Sequence, residues 1–115
     1  GRYLMSVILR LTKRRFYPFQ IDGETIHLRA MLTSELDIVQ KFRDDDESLG
    51  FMIGCCVLSE NGTAEFMKTA DETPKQFGAR ILCEVDLPLD TRTELINKII
   101  GLSNGPPSQE KLIKN

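Results

Sequence analysis

Histidine occurs once in this sequence, at His27, and cysteine three times, at Cys55, Cys56 and Cys83. No nucleophile stands beside the histidine. The chain also has no H-E-x-x-H, no G-x-S-x-G elbow and no glycine loop able to cradle phosphate. A lone histidine without a nucleophile or paired carboxylates reads as a surface or hydrogen-bonded residue. The expectation is a protein with no catalytic residue, no cofactor and no metal. Adjacent Cys55 and Cys56 supply neither a C-x-x-C knuckle nor a ready disulfide, and an odd total suits a reducing, intracellular compartment. No apolar run reaches the roughly 18 to 20 residues that a membrane helix needs. No charged-then-apolar leader ends in a small-residue cleavage site. These features predict a soluble, cytosolic protein. Internal repeats and low-complexity tracts are missing as well. Residues 1–4 precede Met5, a natural start, and read as a cloning scar.

What is present fits one domain. A chain of 115 residues, 41% of them hydrophobic, supports one modest core and is short for two. The domain is placed at 5–102, with 103–115 as a flexible tail of turn formers, adjacent prolines and polar residues. The formal charge of −2 conceals an asymmetry. Residues 1–31 carry six Lys/Arg against two Asp/Glu, and residues 32–115 carry nine against fifteen. That difference can orient a partner or a second copy, but it is too small to establish nucleic-acid binding.

The strongest local signal is Asp22-Gly23 between FYPFQI and ETIHLRAM, because a type I′ turn needs φ > 0 at both central residues. It predicts a two-stranded ribbon. Pro18, lacking an N–H, suits an edge strand. In the second strand Thr25, His27 and Arg29 alternate with Ile26, Leu28 and Ala30, giving a polar and an apolar face. Such a ribbon is marginal alone and needs cover.

Helices are expected to supply that cover. Met5 to Arg15 places Met5, Ile8, Leu9 and Thr12 along one side, with Arg10, Lys13, Arg14 and Arg15 towards its end. Those cations complement the helix dipole, or alternatively meet an acidic partner or phosphate. Thr33 or Ser34 is the expected cap of a helix carrying Leu36, Val39 and Phe42 onto the ribbon. Asp44 to Glu47 lacks the alternating ligands of a calcium loop and reads as the acidic start of the next helix. Residues 49–58 are apolar throughout and are assigned to that helix, stopped by Glu60-Asn61-Gly62. The alternative is a strand that turns at Asn61-Gly62 into Thr63 to Met67. Thr73-Pro74-Lys75-Gln76 predicts a capping box opening a helix with Phe77, Ile81, Leu82 and Val85 inside. Thr91 and Glu94 predict a second box before Leu95, Ile96, Ile99, Ile100 and Leu102. The predicted fold class is α+β, one β-hairpin with about four to five packed α-helices.

In order, a basic start, the ribbon IDGETIHLRAM, TSELDIVQKF, an apolar helix ending in ENG, TAEFMKTADETPKQFGARI and a last helix finishing in IIGLSNG resemble the tail assembly chaperones of long-tailed bacteriophages. The resemblance is to the shorter chaperone product of HK97-like siphoviruses, over most of residues 5–105. The resemblance implies a small α+β domain that self-associates in the infected cytoplasm and is absent from the finished virion. It implies binding to the tape measure protein and help in recruiting tail tube subunits. It further implies a longer, frameshifted form whose added domain contacts the tube protein. Phe16, Tyr17 and Phe19, beside Arg10, Lys13, Arg14 and Arg15, are the expected contact surface. An alternative is a small nucleic-acid-binding regulator using those four cations. An enzyme would need a pocket drawing His27, a cysteine and acids together.

Overall fold

Asp22 and Gly23 take φ of 53° and 79°, the left-handed pair that a two-residue type I′ turn demands. They join β1 (Phe16–Ile21) to β2 (Glu24–Arg29) with Tyr17 opposite Leu28, Phe19 opposite Ile26 and Ile21 opposite Glu24. The computed structural model describes residues 16–103. The expected helix over Met5 to Arg15 and residues 1–4 lie outside the described residues; of the tail assigned to 103–115 only Ser103 is described, and it is the last residue of a helix.

Chain order continues through α1 (Thr33–Gln40), α2 (Asp45–Cys56), β3 (Val57–Leu58), α3 (Pro74–Glu84) and α4 (Leu89–Ser103). The architecture of the described residues is α+β, with an antiparallel sheet in the order β1-β2-β3 beside four helices. The sheet thus has a strand beyond the expected hairpin. α2 stops at Cys56, and the next two residues pair antiparallel with β2, His27 opposite Leu58 and Leu28 opposite Val57. Leu58 also bridges Ala64, Gly62 takes φ of 84°, and the Ser59 N–H bonds the Thr63 carbonyl at 2.8 Å. Asn61-Gly62 is therefore the tip of a small second hairpin and does not cap a helix. The assignment of 49–58 to one helix holds only to Cys56. A segment buried on every side has no period from which its switch to extended backbone can be read.

Local chemistry accounts for most helix ends. The Asp44 carboxylate accepts from the Asp46 and Glu47 N–H groups at 2.9 and 3.2 Å and opens α2. Thr73 and Gln76 exchange side-chain to backbone bonds at 3.1 and 2.9 Å, completing the predicted box with Pro74 in the first turn of α3. Two expected caps are not formed. α1 starts after Leu32, which has no acceptor to offer; Glu35 instead reaches back to the Leu32 N–H at 2.7 Å. α4 begins at Leu89, so Thr91 lies inside its first turn and donates to Asp22 Oδ2 at 2.6 Å. That bond ties the helix to the hairpin turn.

The core gathers Leu28 from the sheet, Phe51, Ile53 and Cys56 from α2, Phe77 and Ile81 from α3, and Leu95 and Ile99 from α4. Full burial of each large side chain stabilises by about 1.5–3 kcal/mol. α4 lies against β1 and β2, whereas α1 leans chiefly on α2 and buries no residue completely. The ribbon is thus covered mainly by α4, in place of the expected α1. α2 and α3 make the tightest crossing. A Cβ on Gly50 would fall 2.1 Å from the Gly78 carbonyl oxygen, and one on Gly78 2.2 Å from the Glu47 carbonyl oxygen.

Candidate protein-interaction surface

Among the described residues β1 is one of the two outer strands of the sheet, with β3 at the other edge. In a two-residue hairpin the pair beside the turn is hydrogen bonded and pairs alternate outward from it. Ile21, Phe19 and Tyr17 therefore direct their backbone groups to β2, while Gln20, Pro18 and Phe16 direct theirs to the free edge. Pro18 stands in the middle of that edge and removes its central donor. Phe16, Tyr17 and Pro18 are consecutive exposed residues, Phe16 at 38% and Tyr17 at 41%.

The three aromatic residues singled out by sequence occupy different faces. Phe16 lies on the outer face, with its ring 5.8 Å from His27 at 66° and above the tip of the second hairpin. A Cβ on Gly62 would stand 2.6 Å from the Phe16 ring, so this glycine supplies both the turn and the space for the aromatic. Tyr17 and Phe19 lie on the opposite face. Phe19 is half-buried against the core, and the Lys98 ammonium of α4 sits 5.0 Å from its ring centroid. Beyond Lys98 a shallow groove of about 800 Å³ runs along α4 past Glu94 and Asp90 to Leu89, which is 69% exposed. Arg10, Lys13, Arg14 and Arg15 lie outside the described residues.

Lys98, Gly62 and His27 were not anticipated beside these aromatics. The alternative of a strand over 49–58 turning at Asn61-Gly62 contained the turn that carries Gly62, but its pairing with β2, which sets Gly62 under Phe16, is visible only in the fold. Nothing in the sequence locates Lys98.

A second polar cluster lies where β2 ends. Arg29 grips Glu35 through two bonds of 2.8 Å and also donates to the Ala30 carbonyl. Burial opposes both charges, yet the hydrogen bonds and mutual attraction win: the Glu35 carboxyl lies below its ordinary range and the Arg29 guanidinium above its own. Burial pushes the neighbouring Cys56 thiol up to about 12 and the Cys55 thiol upward as well. Both thiols are thus held protonated and poorly nucleophilic. The pair fastens α1 to the sheet. Among the described residues no three His, Cys, Asp or Glu side chains are placed to hold a metal ion, and neither His27 nor a cysteine lines the groove along α4.

Fold and surface define a small α+β domain that, among the described residues, presents aromatic groups on an edge strand of its sheet. No protein-family model matches the chain, and no curated protein or solved structure matches it.

Proposed function

We propose that this chain is a non-enzymatic phage tail assembly chaperone, the shorter product of its locus. In this reading it binds the tape measure protein in the host bacterial cytoplasm, helps recruit tail tube subunits around it and self-associates, and it is absent from the mature virion. The longer, frameshifted form carries the added contact to the tube protein. A chaperone for a self-polymerising subunit needs reversible contacts that cover adhesive surface. The observation that carries the reading is the edge of β1, where Phe16 and Tyr17 are exposed on either side of a strand whose middle donor is removed by Pro18. Support also comes from the resemblance in the order of ribbon, helices and ENG turn.

The test is co-expression with the proteins encoded beside it, followed by affinity purification. A tube gene should precede this one, and an overlapping frame with a long, helical tape measure gene should follow. Co-purification of the tape measure or tube protein is expected, weakened by Tyr17→Ser, which alters an exposed side chain. Failure of both proteins to bind the chain, with or without its extension, overturns the reading.

A further inference from the structure

The described fold and the segment before it are oppositely charged. Residues 16–103 carry eight Lys/Arg against sixteen Asp/Glu, whereas residues 5–15 carry four Lys/Arg and no Asp/Glu. Part of the negative charge borders the groove of about 800 Å³ along α4, which has exposed Leu89, Asp90 and Glu94 at one end. Lys98, at the other end, sits over the Phe19 ring. Among the described residues neither Asp90 nor Glu94 has an ion-pair partner, and the cation between them in sequence, Arg92, points to Asp46 at 4.0 Å. The Thr91–Asp22 bond sets this acidic end at the hairpin turn. Phe16, where segment 5–15 joins, stands at the opposite end of β1, paired with Arg29. The turn is roughly 17–20 Å from it along the strand. Lys13 is three residues from Phe16 and has at most about 10 Å of backbone to span that distance, and Arg14 and Arg15 have less. A chain's own Lys13, Arg14 and Arg15 thus fall short of its own Asp90.

We propose that the acidic end of this groove is a docking site for segment 5–15 of a second copy of the chain. Ile8 and Leu9 of that copy rest on Leu89, and its basic residues meet Asp90 and Glu94. The contact runs head to tail, because each copy gives a segment at one end of its sheet and a groove at the other. Copies therefore add into a ring or a filament. The proposal gives a geometry to the self-association in the proposed function and rests on that part of the reading alone. Tape measure binding is read in the co-purification, so either result can fail without the other.

The experiment compares the full chain with two neutralised variants in sedimentation velocity. Arg10→Gln, Lys13→Gln, Arg14→Gln and Arg15→Gln together remove the charge of the segment; Asp90→Asn with Glu94→Gln removes that of the groove. At low salt the parent should form assemblies that dissociate as salt is added. Each variant alone should associate about tenfold more weakly or worse. An equimolar mixture of the two should form a one-to-one dimer and nothing longer, since only one kind of segment and one kind of groove remain charged. Should the groove variant not fold, the segment variant decides: added to the parent it should shorten the assemblies, because it takes up a segment and offers none. A parent that stays monomeric at millimolar concentration and low salt, the result expected of a segment docked on its own chain, overturns the proposal. So do assemblies indifferent to salt, a mixture that associates no better than its separate variants, or parent assemblies that the segment variant leaves at full length. Binding of a single-stranded oligonucleotide through segment 5–15, without self-association, overturns it in favour of nucleic acid.

Discussion

Gly50 is the residue on which the helix packing depends most directly. Glycine inside a helix costs about 0.5–1 kcal/mol relative to alanine, and α2 contains two, Gly50 and Gly54. That cost is offset by the close approach of α3. The Cβ of an alanine at position 50 would collide with backbone, which cannot swing aside, whereas at position 54 it would meet the Phe77 ring and the Ile81 side chain. Gly50→Ala should therefore destabilise the fold by roughly 1–3 kcal/mol, read as a lower urea midpoint at unchanged slope, and Gly54→Ala by less. Equal losses would mean that backbone contact does not set the crossing. Cysteine reactivity is a second check at this scale. Cys83 is exposed, Cys56 buried and Cys55 half-buried beneath Arg29 and Glu35. A thiol reagent should label Cys83 rapidly in the native protein and reach Cys55 and Cys56 only on unfolding. Fast native labelling of either would place it outside the packed interior.

The link from β3 to α3 depends on one arginine. Arg80 Nε and Nη2 donate to the two oxygens of Glu72 at 2.6 and 3.0 Å, and Nη2 donates to the Met67 carbonyl at 2.7 Å. These bonds, with the Thr69 N–H at 2.9 Å, hold the Glu72 carboxyl down to about 2. Its folded value lies below its ordinary 4.5, so between the two the unfolded chain binds more protons and stability rises with pH. The contribution is complete above about 4.5 and is lost as the pH falls towards 2. Protection of the 67–73 amides, taken relative to the intrinsic exchange rate at each pH, should fall across that window in the native chain. In Arg80→Met that protection should already be low at neutral pH, with little added acid dependence.

How much was legible at this level follows from particular segments. Asp22-Gly23, Asp44 and Thr73-Pro74-Lys75-Gln76 act through their own or neighbouring backbone, and each sits where its chemistry places it. β3 was missed because Val57 and Leu58 are buried like the helix before them and differ only in what lies across from them. Thr91 was misread as a cap because its partner, Asp22, is distant in sequence. Of the candidate surface, the edge position of β1 was foreshadowed by Pro18. The separation of Phe16 from Tyr17 and Phe19 was implicit in strand alternation, but the ring contacts with His27, Gly62 and Lys98 depend on tertiary neighbours.

For the whole molecule, the edge of β1, unpaired among the described residues, creates a conflict between binding and aggregation. An unpaired strand edge recruits further strands, and proteins blunt such edges with proline or charge. Here Phe16 and Tyr17 supply the adhesive side chains, while Pro18 denies an incoming strand one backbone bond at the centre of the edge. That arrangement favours reversible contact over continuous sheet addition. Pro18→Val restores the outward N–H with a strand-favouring side chain and leaves the bonds to β2 unchanged, since position 18 faces away from them. Sedimentation velocity should show the variant shifting to larger, concentration-dependent assemblies than the parent chain. Adding Tyr17→Lys to the variant should reverse the shift, because a like charge on each added strand opposes pairing. If the mass of Pro18→Val matches the parent at every concentration, the edge is closed to strand addition and Pro18 has no protective role there.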